Sequence, residues 1–255
     1  MFDLTGKRAL VTGASQGLGA GIAKALAAAN ALVILSARSE TRLQQIKQSI
    51  DASGGKAEVR RSDLSSRAGC RALAASCGDI DILVNNAAQT TLTLRGVAEP
   101  EDDVWDMAVM MNLIAPKTLM ECFCPGMIQR RSGVVINISS MASRFTPPNT
   151  APYSTMKAAL EQLTRIAAME MAPSGVRVNA VTPGNIATAA LDGLFESAPG
   201  MREAMIGRVP AGRLGTVEEI GNLCVFLASD EAAYINGSVH VIDGGATAGT
   251  FFPTR

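Results

Sequence analysis

Residues 152–160 read PYSTMKAAL and place Tyr153 and Lys157 four positions apart. Residues at that spacing share one face of a helix. A phenol has an ordinary pKa of ~10 and is a poor base at neutral pH. Lowering it by about three units takes ~4 kcal/mol of preferential stabilisation of the phenolate. An ammonium one turn away supplies part of that, so the pair is a candidate proton-transfer device. The same spacing also occurs as a plain surface pair, and the rest of the chain has to decide. A second candidate lies near the start. Gly13-Ala14-Ser15-Gln16-Gly17 matches G-x-S-x-G, the nucleophile elbow of a serine esterase. His240, the only histidine, would have to be its base. That reading lacks an earlier strand-to-helix loop to donate an oxyanion N–H, and it leaves PYSTMK unexplained.

The elements around these residues set their context. KRALVTGASQGLG is a short apolar run followed by a glycine-rich turn, and LGAGIAKALAAAN continues as a helix. Gly13, Gly17 and Gly19 therefore stand between a first strand and a first helix. Glycine there permits a tight turn and close approach of a pyrophosphate to the free N–H groups of the helix start. ALVILSAR reads as a second strand, KAEVRRSDL as a third ending at Asp63, and DIDILVNNAA as a buried fourth. Residues 101–131 read as one long helix, SGVVINISS as a strand, and 152–173 as a second long helix opened by Pro152. GVRVNAVTPG and GSVHVIDGG supply two more strands. Between them TVEEIGNLCVFLASD is a helix with Thr216 and Glu219 as a capping box. Strands alternate with helices, and nearly continuous apolar strands indicate a parallel sheet buried on both faces. The expected fold is α/β, a single doubly wound parallel sheet of Rossmann type with helices on both faces, in one domain over 1–255. Residues 185–212 are the least regular stretch and are expected to form a substrate lid.

Composition narrows the function. Hydrophobic residues make up 47% and charged residues 18% of the 255, enough for a sizeable core. Lys plus Arg and Asp plus Glu are equal at 23 each, with no basic stripe, so a nucleic-acid partner is not expected. Asp3, Lys7 and Arg8 interrupt the first ten residues, and the uncharged runs are shorter than the ~20 apolar residues of a membrane span. A soluble cytoplasmic protein with no membrane partner is expected. The five cysteines, Cys70, Cys77, Cys122, Cys124 and Cys224, fit no zinc spacing and read as small buried residues. No metal site is expected.

Together these motifs resemble the short-chain dehydrogenase/reductase family over nearly the whole chain. They are TGASQGLG at 12–19, NNAA at 85–88 (with Ala88 where the family usually has glycine), NISS followed by YSTMK, and VRVNAVTPGNIAT. The C-terminal VPAGRLG…EEI…FLASDEAAYINGSVHVIDGG resembles the branch of 3-oxoacyl-carrier-protein reductases and gluconate 5-dehydrogenases. The resemblance implies hydride transfer between a nicotinamide cofactor and a carbonyl or secondary alcohol. Tyr153 would be the general acid/base, and Lys157 would also hold the nicotinamide ribose. Ser140 would polarise the substrate oxygen, with Ser139 turned the other way. Asn112 would hold a water in a proton relay. Gly13, Ser15, Gln16, Gly17, Leu18 and Gly19, with Asn86 and Ala87, would line the cofactor. Asp63 and Leu64 would lie beside the adenine, while Asp63 also suits a helix N-cap. Pro183, Gly184, Ile186 and Thr188 would contact the nicotinamide.

The cofactor preference rests on the end of the second strand. Relatives that use NAD often carry an acid there, and this chain has Ala37 followed by Arg38. A missing carboxylate removes repulsion against a 2′-phosphate, and a guanidinium binds one bidentately. Ser36 and Ser39 offer hydroxyls. Gln16 stands where many NADP-using relatives carry a base, so Arg38 would act almost alone. NADP is the expected cofactor, with NAD the alternative. A catalytically silent cofactor-binding regulator is the rival from another class. Leu191, Leu194, Phe195 and Met201 suggest a partly apolar lid. Excess apolar residues on the two long helices, with Phe251 and Phe252, suggest a homotetramer.

Overall fold

A computed structural model describes residues 2–90, 96–99, 102–145 and 147–249. Phe251 and Phe252 lie outside them, as does the side chain of Leu194. Seven parallel strands form one sheet in the order β3-β2-β1-β4-β5-β6-β7. They are β1 Arg8–Thr12, β2 Leu32–Ala37, β3 Lys56–Arg61, β4 Ile82–Asn85, β5 Gly133–Ile138, β6 Val176–Pro183 and β7 Val239–Ile242. The helices are α1 Gly17–Ala28, α2 Glu40–Ala52, α3 Arg67–Cys77, α4 Asp102–Val109, α5 Ala115–Arg130, α6 Ala151–Met171, α7 Ala189–Ser197, α8 Met201–Ile206 and α9 Val217–Ala228.

Side chains alternate across a strand, so each strand feeds both layers. Ala9 and Val11 of β1 pack with α1, α2 and α9 on one face, through Ile22, Leu26, Leu43 and Ile220. Leu10, between them, packs with α3, α5 and α6 on the other, through Leu73, Leu119 and Ala167. The doubly wound sheet with helices on both faces is as the sequence leads one to expect. Cys70, Cys77, Cys124 and Cys224 are buried. Burial pushes the Cys224 thiol up to about 12 and that of Cys124 to about 11, so these sulfurs stay protonated.

Four features differ from the sequence reading. The long helix at 101–131 is interrupted by a π-helical segment, Met110–Ile114, that carries Asn112. Pro116 has no N–H to return to the Asn112 carbonyl, which opens the α-helical ladder at that turn. The stretch Asp102–Arg130 is also long and apolar enough to cross a membrane by length and composition, but half of its most apolar window is buried inside the fold. The expected irregular lid contains two short helices, α7 and α8. Finally, β3 stops at Arg61, and Ser66 rather than Asp63 caps α3, its hydroxyl accepting from Gly69 N at 3.1 Å. Asp63 instead closes a local turn by accepting from Ser65 N. The capping box at Thr216 and Glu219 forms as read.

Candidate active site

The strand order reverses between β1 and β4, and the chain emerges from the C-terminal ends of the strands on that side of the sheet. Doubly wound sheets take ligands in the crevice at such a point. The glycine loop lies there. Gly13 and Gly17 have φ of +67° and +53°, the left-handed region that favours glycine. A Cβ on Gly19 would lie 2.2 Å from the Gly13 carbonyl oxygen and 2.5 Å from Asn86 Nδ2, so only glycine fits. The Asn86 amide donates to the carbonyls of Thr12 at 2.9 Å and Gly13 at 3.3 Å. Thr12 Oγ1 accepts from the N–H groups of Asn86 and Ala87, both at 3.0 Å. The strand β4 motif thus clamps the loop from below. Gln16 is the N-cap of α1, yet its side chain gives no capping bond. The first-turn N–H groups of α1 thus receive no cap from Gln16, and a helix start of this kind suits an anion. Ser15 and Leu18 are half-buried on either side of this turn.

One end of the crevice is open. Arg38 is exposed just beyond β2, and its carbonyl accepts from Arg61 Nε at 3.2 Å. Asp63 is exposed beside both arginines. Its carboxyl is held below the usual range, chiefly by hydrogen bonds from Ser65 and secondarily by Arg38 and Arg61. Leu64 is buried. Ser36 is buried in a 2.6 Å hydroxyl pair with Ser62, and Ser39 caps α2.

The other end is closed. Lys157 is 2% exposed, and its Nζ donates to the Ile138 carbonyl at 2.7 Å. Burial pushes the lysine down to about 8. The Nζ lies 5.6 Å from the centre of the Tyr153 ring. Burial raises the Tyr153 phenol above its ordinary range, while interaction with the Ser140 hydroxyl pulls the other way. Burial is the larger of these two influences, so the direction is upward rather than toward the lowered phenol that the Lys157 spacing alone suggests. Ser140 also accepts from Ala142 N at 3.2 Å, whereas Ser139 turns inward. Asn112 is 1% exposed and is fixed in both directions by the Gln89 backbone, donating to its carbonyl at 3.1 Å and accepting from its N–H at 3.2 Å. Pro183 ends β6, and Gly184 N donates to the Ile242 carbonyl at 3.0 Å. Ile186 is buried in a bridge with Gly215. Thr188 caps α7, and its methyl would lie 3.8 Å from a Cβ on Gly17, so this segment closes over the glycine loop.

The sequence pattern of the family described as Enoyl-(Acyl carrier protein) reductase matches residues 13–247. A gluconate 5-dehydrogenase of Gluconobacter oxydans (strain 621H) is 34% identical over 252 residues, 97% of either chain. The chain belongs to the short-chain dehydrogenase/reductase family. A 3-oxoacyl-[acyl-carrier-protein] reductase of Escherichia coli (strain K12) is 38% identical over 245 residues, 96% of this chain and 98% of that one. Among solved structures, a gluconate 5-dehydrogenase from Burkholderia cenocepacia J2315 in complex with NADP and tartrate superposes with a TM-score of 0.87 at 32% identity, covering 98% of each chain. A 3-oxoacyl (acyl-carrier-protein) reductase from Agrobacterium tumefaciens C58 with NADP bound gives a TM-score of 0.89 at 31% identity, covering 95% of each.

In this dehydrogenase/reductase the esterase arrangement is not assembled. His240 lies in β7, four strands from β1, about 19 Å away at ~4.8 Å per strand. A cavity of about 470 Å³ lined by Lys7, Asp81, Arg177 and Tyr234 lies at the N-terminal ends of the strands, and no candidate site residue lines it. No cluster of metal-ligating side chains occurs among the described residues. Two residues escaped the sequence reading. Arg42 Nη1 donates to Gln16 Oε1 at 2.6 Å and so stands beside the glycine loop. Glu161 is a buried carboxylate one turn beyond Lys157. The i, i+4 step from Lys157 to Glu161 was the only signal for the second, and nothing local signalled the first.

Proposed function

We propose that the protein transfers a hydride between NADP(H) and a carbonyl or secondary alcohol, with Tyr153 as general acid/base. The observation that carries this is the closed end of the crevice. A protonated phenol stands beside the Ser140 hydroxyl, and Lys157 is buried one turn behind it. The glycine cradle, the uncapped start of α1 and the arginines beyond β2 suit the pyrophosphate and the 2′-phosphate of NADP. Bound NADPH supplies the hydride. Tyr153 gives its proton to the carbonyl oxygen as the carbon takes the hydride, which yields the alcohol; in the oxidative direction it accepts that proton. The Ser140 hydroxyl donates to the same oxygen and orients it. A raised phenol suits proton donation. Accepting a proton needs the phenolate, which the positive charge of an oxidised nicotinamide favours. Lys157 binds the ribose and tethers the active-site face of α6 to the end of β5, and Asn112 holds the relay water.

Arg38 provides most of the preference for NADP over NAD. Arg42 adds a second cation from α2, in place of the base missing at Gln16. Residues 1–255 act as one domain with α7 and α8 as its lid. The substrate classes to test are keto sugar acids, 3-oxoacyl thioesters and simple ketones, with the corresponding alcohols. The experiment is loss of NADPH absorbance across that panel, repeated with NADH. Cofactor binding with no turnover of any member would favour the silent regulator instead.

The protein works in the cytoplasm as a homotetramer. Met107, Ile128, Ile166 and Met169 are exposed on α4, α5 and α6, and Met169 is 79% accessible. Helix faces of this kind pair across two-fold axes in closed assemblies. A monomer mass by light scattering at micromolar concentration would sink that assignment.

A further inference from the structure

We infer that Glu161 is a positioning residue for this active site, which rests on the reductase reading above. Its carboxylate is 5% exposed, yet the chemistry proposed for Tyr153, Ser140 and Lys157 does not use it. Three hydroxyls converge on the single oxygen Oε1. Ser139 Oγ donates at 3.0 Å, Thr182 Oγ1 at 3.0 Å and Ser143 Oγ at 2.5 Å. The three come from three different segments. Ser139 follows β5 directly and precedes Ser140. Ser143 closes the following turn, where its Oγ also lies 2.8 Å from the Ser140 carbonyl. Thr182 precedes Pro183, in the wall assigned to the nicotinamide. Glu161 itself belongs to α6, one turn after Lys157 and two after Tyr153. The segments that carry Ser140, Tyr153, Lys157 and Pro183 are thus tied to one oxygen.

Each hydroxyl has one proton to give. Ser143 has the Ser140 carbonyl as its alternative acceptor, and Ser139 has the Lys157 carbonyl at 3.3 Å. Bonds to an ionised carboxylate are roughly twice as strong as neutral ones, which directs those protons to Glu161. The other oxygen, Oε2, lies 3.8 Å from the guanidinium of Arg144 and 3.9 Å from that of Arg165. A buried carboxylate is an expensive way to gain stability, and apolar residues of similar volume often do as well. What an apolar residue cannot do is fix three hydroxyl-bearing chain ends in one register. The carboxylate holds Ser140 and the Pro183 wall at a set distance from Tyr153 and Lys157.

The test compares Glu161→Leu and Glu161→Gln with the unmodified protein and with Tyr153→Phe. NADPH oxidation is followed with 5-keto-gluconate and acetoacetyl-coenzyme A, and kcat is expressed per NADPH-binding site. Misplacement by a fraction of an ångström to an ångström lowers kcat roughly 10- to 100-fold, which is the loss expected for Glu161→Leu. Its Kd for NADPH should stay within about threefold, since the adenosine end is untouched. The primary deuterium isotope effect should rise as hydride transfer becomes slower. Glu161→Gln keeps an acceptor oxygen and should recover most of the lost kcat. Thr182→Val and Ser139→Ala remove one tie each and should show smaller losses of the same kind, and they carry the test if Glu161→Leu does not fold. Unchanged kcat per site in Glu161→Leu, or in both single-tie variants, overturns the inference even where the melting temperature falls. Substantial turnover by Tyr153→Phe, or none by the unmodified protein with either probe, overturns the reductase reading and this inference with it.

Discussion

The two ends of the crevice are built on opposite physical terms. At the closed end Lys157, Asn112 and Glu161 are each at most 5% exposed; Lys157 Nζ and the Asn112 amide are fixed by backbone groups and Glu161 Oε1 by hydroxyls. At the open end Arg38 and Asp63 are exposed, and the Gln16–Arg42 hydrogen bond lies in solvent. Low dielectric magnifies a charge and makes its position costly to change. Water and salt reduce the same charge at the surface. Under the proposed function, the closed end would set the reaction rate and the open end the cofactor preference. A proton carrier must be desolvated and held still. A phosphate contact need only be attractive.

The division is broken most directly at Tyr153. Tyr153→Phe removes the transferred proton and keeps the ring, so turnover should fall by roughly 10²–10⁴-fold, the usual contribution of a general acid. NADPH affinity, measured by fluorescence titration, should hardly move. A variant with near-normal kcat would remove the closed end's role.

Lys157 sharpens the comparison through stability. Its folded pKa is about 8 against an ordinary 10.5, so burial disfavours the charged form. Below about pH 8 both folded and unfolded chains are protonated, and the full penalty applies. Between about 8 and 10.5 the unfolded chain binds the extra proton, so this group's contribution to stability rises with pH. The penalty is roughly 3 kcal/mol at 1.36 kcal/mol per unit. Losing the bond to the Ile138 carbonyl offsets it by about 1 kcal/mol. Lys157→Met should therefore be inactive yet about 2 kcal/mol more stable than the parent at pH 7, with the advantage shrinking as pH approaches 10.5. Denaturant melts across that range give the answer; an advantage that grows with pH would contradict the burial argument.

At the open end, Arg38→Ala should weaken NADPH roughly 10- to 100-fold, from the ~1.5–3 kcal/mol of a charge-assisted hydrogen bond. NADH should be nearly unaffected, and Ala37→Asp should turn the preference further toward NADH. Equal losses for both cofactors would make Arg38 a general electrostatic contributor. Arg42→Gln is expected to cost less, about threefold, because the side chain is solvated and must leave Gln16. The smallest effect is that of salt. Raising ionic strength from 0.01 to 0.15 M shortens the Debye length from ~30 to ~8 Å and should raise the NADPH Kd more than that of NADH, with kcat unchanged. A salt-sensitive kcat would mean that the two ends are not separable.

Much of this was legible in the sequence because it is local. Apolar runs alternating with helical periods gave the strand and helix order. The glycine turn between β1 and α1 marked the proposed cradle, and Tyr153 with Lys157 marked the face of α6 to which the chemistry is proposed to belong. The π-helical turn at Asn112 had a signal that is easy to overlook, a proline four residues on. The helices α7 and α8 lacked one, because scattered Gly and Pro residues between 184 and 212 hide short helical periods.

What the tertiary structure alone decided are meetings between segments distant in the chain. Arg42 reaches Gln16 across 26 positions. Glu161 collects hydroxyls 18 to 22 positions away on either side. The direction of the Tyr153 shift belongs here too. A lysine one turn away argues for a lowered phenol, but burial argues for a raised one, and burial is a property of the whole packed crevice. Local periodicity fixes which residues share a face; desolvation and convergence depend on what the rest of the chain places around that face.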